Sequence, residues 1–411
     1  MSPGEQESDG SEFGRVAGRV GGGLALLFLL GALFLALRGA LRQPAHNFDM
    51  LDYVALALEY TESDPEVVHR RTYETVRAEL PPEVFAKLTD TRDFRREIYQ
   101  DWRRFDANLG FHRGRYLYTA AVLGIHALGA ELTAATWYAN QLFWCATALV
   151  VFLWARRHLA LWTASLLTFA LMYSPPVLGL LPASAPESMA MFFVTLGLYL
   201  WIELRAFRLA ALVLSLSILV RPEFVLVCVG IAAGLFLFGG AGPRPSRRFL
   251  ALWAGGCLVL WFGIAQSAHD PGWWPVVTSP VRRVSELSQV TPFKLSYYLQ
   301  LIGRRFEPFV YLGYDIAPDG SYVRGSGFLF VYLVLAALIG VLALQARRAE
   351  LRPHAAIALG LIAATFVRVA LFPYPWDRYF VYLWVPVPLI LLGIGAALVA
   401  RARDVGEARA G

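Results

Sequence analysis

The stretch GGLALLFLLGALFLALRGA (residues 22–40) and the segment HNFDMLDYVALALEY (46–60) just after it decide how the rest of the chain is read. The first is an apolar run of about 20 residues with one charge, Arg38, near its end, long enough as a helix to cross a bilayer. In the second, Asp49, Asp52, Tyr53 and Leu56 recur at helical spacing and share one face of a short helix. Two carboxylates therefore appear at the membrane surface opposite the N-terminus. Arg15 and Arg19 precede the apolar run and hold that terminus in the cytoplasm by the positive-inside rule. A mixed-charge tail precedes the run and no small-residue cleavage site follows it, so it reads as a retained anchor and not a removed signal.

Composition extends this to the whole chain. Of 411 residues, 57% are hydrophobic and only 17% charged, which excludes an ordinary soluble domain. Further apolar runs cover about 133–155, 159–180, 186–203, 209–221, 222–239, 249–267, 327–345, 354–372 and 380–400. The expected fold is all-α, a polytopic transmembrane bundle of about ten crossings, because an open sheet edge cannot be satisfied in lipid. The +6 charge follows from arginines beside apolar segments and implies no nucleic-acid partner. Cys145, Cys228 and Cys257 are scattered through apolar sequence, and the seven histidines lack ligand spacing; neither set suggests a metal or redox framework.

The domain organisation expected is a disordered tail (1–21), a transmembrane domain (22–400) and a cytoplasmic tail (401–411). The first extracytoplasmic loop, 42–131, is too long to lack structure and must carry juxtamembrane helices, broken at Pro81-Pro82. Its last part, Tyr116–Ala130, is apolar but short. Placing it in the interface instead of across the membrane puts the connections at Arg156-Arg157, Arg205/Arg208, Arg244–Arg248 and Arg347–Arg352 all inside, with both termini. The extracytoplasmic side then collects 42–131, LPASAPE (181–187), Arg221–Glu223, the second large loop 268–326 and FPYPWDRY (372–379).

Every unusual charge falls on that side. Asp49 and Asp52 are candidate bases for a hydroxyl entering a partly dehydrated cleft, although acids at a helix start also complement its dipole. Glu187 follows Pro186 at a helix start and carries the same two readings. Arg221 and Glu223 interrupt nearly continuous apolar sequence; ionisable residues there are functional candidates, with a mutual ion pair as the structural alternative. Arg378, Arg113 and Arg115 can each fork onto a phosphate or anchor the interface, and Tyr379 can cap a sugar or join an aromatic belt. His46 and Tyr53 flank the acids.

These features resemble the GT-C class of membrane glycosyltransferases, which includes protein O-mannosyltransferases and the lipid A aminoarabinose transferase. The likeness spans nearly the whole chain through loose motifs. It comprises D-x-x-x-Y-x-x-x-A at Asp49, Tyr53 and Ala57, an acid opening a later helix at Glu187, the R-P-E step at Arg221–Glu223, and R-Y at Arg378-Tyr379 before Pro386 and Pro388. Met50 stands where that class usually has the second acid of a D-E pair.

The resemblance implies transfer, with inversion, of a hexosyl or pentosyl group from a polyprenyl-phosphate sugar to an extracytoplasmic glycan, lipid or protein acceptor. The setting would be a bacterial inner membrane. Asp49 would be the base, with Asp52 as its rival, and Glu187 the second acid. Arg378, with Arg113 or Arg115, would hold the lipid phosphate, and His46, Tyr53, Arg221, Glu223 and Tyr379 would line the substrate site. Some members of the class need a divalent metal such as Mg or Mn and others none, so the metal stays unassigned. The alternatives are a transporter or flippase of a lipid-linked or anionic substrate, and a non-catalytic membrane partner that keeps the fold.

Overall fold

In a computed structural model of the chain, residues 7–239, 245–269, 293–300, 314–316, 323–325, 351–371 and 377–410 are described, with isolated positions 272, 274 and 302. Apart from one ribbon of two three-residue strands (Tyr314–Ile316 and Val323–Gly325), the regular structure among them is helical. The predicted span 327–345 and most of loop 268–326 lie outside the described residues.

Five helical spans are long and apolar enough to cross a membrane: α1 (Glu7–Arg42, apolar from Gly21), α8 (Leu132–Arg156), α14 (Arg247–Ser267), α15 (Arg352–Leu371) and Arg378–Ala400, which takes in α16 (Val381–Trp384) and most of α17 (Pro386–Ala410). The other described apolar runs fold as shorter helices: α9 (Leu161–Met172), α11 (Glu187–Ile202), α12 (Phe207–Val220) and α13 (Val225–Phe238). Proline is the reason. Pro175 and Pro176 end the run that begins at 159 and leave only α10 (Pro175–Leu178) beyond it. Pro222 separates α12 from α13 by a 3-10 turn. Of the ten crossings expected from hydropathy, five are long helices and four are shorter ones, and the tenth, 327–345, lies outside the described residues.

Helix runs into both tails. Helix α1 begins at Glu7, inside the segment 1–21 expected to be disordered, and α17 continues to Ala410. Once an apolar span has nucleated a helix, each added residue gains a hydrogen bond without a new nucleation cost.

The first loop is a stack of six helices: α2 (Asp49–Leu58), α3 (Pro65–Glu79), α4 (Pro82–Thr89), α5 (Asp93–Gln100), α6 (Trp102–Leu109) and α7 (Tyr116–Ala127). Local chemistry sets its boundaries. Asp64 caps α3 by accepting from the Glu66 amide at 2.9 Å, with Pro65 in the first turn, and Asp101 caps α6 through the Arg103 amide at 3.0 Å. Glu79 closes α3 against the bundle, its carboxylate accepting from the Leu132 and Thr133 amides at the start of α8.

Two close approaches position the site. Helices α13 and α15 pack backbone to backbone: a Cβ on Gly230 would lie 2.5 Å from the Gly360 carbonyl oxygen, so only glycine fits. Small residues let membrane helices come this near, where dispersion and not the hydrophobic effect holds them. Gly114 does the same for the loop, since a Cβ there would meet Pro222 Cγ at 2.9 Å. That contact lays Arg113–Arg115 against the α12–α13 turn. The exposed side of α1 is apolar, with Leu27, Leu30 and Leu35 all above 60% accessible, as a lipid-facing surface requires.

Candidate functional site

Helix α2 is placed by its lead-in. The Ala45 amide donates to Pro182 O at 2.9 Å, and Asn47 clasps Ser184 in both directions, donating through Nδ2 at 3.0 Å and accepting its amide through Oδ1 at 2.7 Å. His46, between them, sits at φ 41°, a left-handed conformation held by these neighbours. The clasp ties the start of α2 to the turn before α11 and so brings Asp49 next to Glu187, 138 positions later in the chain.

Between them stands Arg378. Its Nη2 is 3.1 Å from Asp49 Oδ2 and its Nε 3.9 Å from Glu187 Oε1. Glu187, 3% exposed, also receives Arg221 Nη1 in a close ion pair. Arg221 turns its other edge to Glu223, with Nη2 to Oε1 at 2.5 Å and Nε to Oε1 at 2.8 Å. Arg368, from the last turn of α15, reaches the same Glu223 oxygen at 3.4 Å and donates to the Tyr379 carbonyl. The Tyr379 ring lies 4.5 Å from the Arg221 guanidinium, 5.1 Å from that of Arg378 and 5.4 Å from that of Arg368, a cation–π hub for all three.

Arg115 adds a fourth guanidinium, hydrogen-bonded to the Tyr53 hydroxyl. Among the described residues, three carboxylates (Asp49, Glu187, Glu223) thus face four guanidiniums (Arg115, Arg221, Arg368, Arg378). Glu187 Oε2 is buried with no hydrogen-bond partner among the described residues.

The two acids of α2 separate by environment. Asp49 keeps 23% of its side chain exposed beside Arg378. Asp52, 1% exposed, turns to α6, where Asn108 Nδ2 donates to it at 2.9 Å and His112 Nε2 lies 3.4 Å away. Burial, then the Asp49 charge, push the Asp52 carboxyl well above the usual carboxylate range, against the pull of Arg115 and Asn108. Burial and the positive field of Arg115, Arg221 and Arg378 hold the His112 imidazole well below its ordinary value. Closed off from solvent by Asn108 and His112, Asp52 supports α2.

Of the residues singled out from sequence, Asp49, Glu187, Arg221, Glu223, Arg378 and Tyr379 converge, with Arg115 and Tyr53 as the adjoining layer. Arg113 does not join them; it is fixed by Glu59, with Nη2 to Oε1 at 2.6 Å, and by Asp106. His46 lies near Lys87, and burial followed by that charge lowers its pKa. Trp376 and the Asp377 side chain lie outside the described residues. Sequence reasoning missed Arg368, Asn47 and the Asn108–His112 pair. Arg368 had a signal, a lone arginine inside the apolar run 354–372. Asn47 and Asn108 had none, because polar residues in a polar loop carry no mark of their distant partners.

No family model matches this chain, and no curated protein or solved structure matches it either.

Proposed function

We propose that the chain is an integral membrane glycosyltransferase that moves a sugar from a polyprenyl-phosphate donor to an extracytoplasmic acceptor, with inversion. The observation that carries the reading is the partly open Asp49 carboxylate, held against Arg378 in a cluster of guanidiniums at the ends of apolar helices. Such a cluster suits an anionic donor, and Asp49 is the acid placed to meet an incoming hydroxyl.

In the proposed step the acceptor oxygen attacks the anomeric carbon, and its proton passes to Asp49. The anomeric C–O bond breaks, and the electron pair leaves on the lipid phosphate, whose charge Arg378 and Arg115 offset. Glu187 and Glu223 keep the guanidiniums oriented. The part of a divalent metal, Mg or Mn, stays unassigned in this reading. The topology that goes with the reading has α9, α11, α12 and α13 crossing along with the five long helices and the span at 327–345, both termini inside, in a bacterial inner membrane.

The test is sugar transfer in membranes from labelled polyprenyl-phosphate sugars, wild type against Asp49→Asn at matched expression. Loss of transfer in the variant supports class and base together, and transfer that survives moves the base to Glu187. With intact protein and no transfer from any donor, the transporter or flippase reading takes its place.

A further inference from the structure

At the far end of α2 from Asp49, two adjoining cavities of about 340 and 240 Å³ open between the first loop and the end of α14. They share Glu59, Arg113, Ser267 and Ala268, and the larger reaches the lower bound of small-ligand sites. Helix α2 spans ten residues, so this basin lies about 15 Å from Asp49 along the axis. The residues of α2 between them, Met50 to Leu58, are buried, so basin and acid are separate sites at opposite ends of the helix.

The lining is built of fixed acceptors. Arg113 grips the Glu59 carboxylate through Nε at 3.1 Å and Nη2 at 2.6 Å, which sets its plane and leaves its other lone pairs to the cavity. Glu62 is oriented by the Ser63 and Asp64 amides, at 3.0 and 3.2 Å. Tyr116 and Ser267 pair their hydroxyls at 2.9 Å across the seam between α7 and α14. Tyr60 stands at the mouth with 59% of its surface exposed, an aromatic face with a polar tip. Among the described lining residues Glu59 and Glu62 outnumber Arg113, so the basin disfavours anions, whereas the guanidiniums around Arg378 attract them.

We infer that this basin binds a saccharide free of acidic groups, which on the glycosyltransferase reading is the acceptor. Oriented carboxylates and hydroxyls accept from sugar hydroxyls, and Tyr60 covers a ring face. The opposite charge of the two sites sorts the ligands: lipid phosphate to Arg378, neutral sugar to Glu59.

The experiment is saturation-transfer-difference NMR on the full chain in nanodiscs, with maltotriose and chitotriose as neutral probes and glucose 1-phosphate as the anionic one. Tyr60→Ala and Glu62→Gln alter surface groups and leave the Arg113 clasp intact; thermal melts confirm that each variant folds as wild type does. The expected result is signal from at least one neutral trisaccharide, weakened tenfold or more in both variants and unchanged in Arg378→Ala. Glucose 1-phosphate should give no signal that depends on Glu62. Neutral sugars silent on wild type, or binding that ignores Tyr60 and Glu62, or binding lost in Arg378→Ala, would overturn the inference. The readout needs no turnover. Saccharide binding without transfer from any lipid-phosphate donor leaves the basin standing and removes the transferase reading; transfer with no such binding removes only the basin.

Discussion

Replacing Arg221 by methionine removes the cation on which two buried carboxylates depend. The side chain is 5% exposed and Glu187 is 3% exposed, so neither charge can turn to water when the other is lost. The two acids do not suffer equally. Glu223 keeps Arg368 at 3.4 Å, but among the described residues Glu187 is left with the Arg378 Nε, 3.9 Å away. Breaking a buried ion pair by deleting one partner costs about 3–5 kcal/mol, because the remaining charge stays desolvated. That range is the expected loss for Arg221→Met, and most of it belongs to Glu187. Neutralising that acid as well, in Arg221→Met/Glu187→Gln, should return about half, since an unpaired buried amide still costs roughly 1–3 kcal/mol. Reversible unfolding in mixed micelles, run as a double-mutant cycle, reads the coupling. Glu203→Gln is an independent reference, because that acid pairs with His158 in a separate cluster and should add without coupling to Arg221. A loss under about 1 kcal/mol for Arg221→Met, or strict additivity with Glu187→Gln, would refute the account of the cluster as a mutually dependent charge set.

Three further outcomes are expected. Gly360→Leu should fail to give a monodisperse peak in size-exclusion chromatography, because the α13–α15 contact leaves no room for a Cβ, whereas Gly395→Leu, with no atom within 4 Å of that position, should behave as wild type. His112 is held neutral by the fold, so its contribution to stability is present above its unfolded pKa of about 6.5 and lost as pH falls toward its lower folded value. His112→Gln should therefore lose less stability than wild type in melts taken from pH 7 down to 5, and an unchanged slope would sink this assignment. Asn47→Ala removes both hydrogen bonds to Ser184, about 2 kcal/mol at roughly 1 each. It should also raise protection-sensitive hydrogen exchange at the start of α2 while leaving the α13–α15 pair unchanged.

Hydropathy and charge carried the membrane character by themselves, because burying a helix in lipid demands a long apolar run whatever its neighbours do. The acids of α2, the Pro186–Glu187 helix start and the R-P-E step were visible for a related reason: ionisable groups at the membrane edge stand out against apolar sequence. Their partners were not visible. That Arg378 joins Asp49 to Glu187, that Arg113 turns away to Glu59, and that Arg368 completes the pair at Glu223 depend on contacts between positions tens to hundreds of residues apart. Periodicity along one segment holds no information about those contacts. The choice between the two α2 acids shows the division most clearly. Asp49 and Asp52 lie on the same helical face and are equivalent in sequence, yet α6 covers one with Asn108 and His112 while Arg378 and open space meet the other. Solvation and neighbouring charge decide what a carboxylate does, and both are properties of the packed chain.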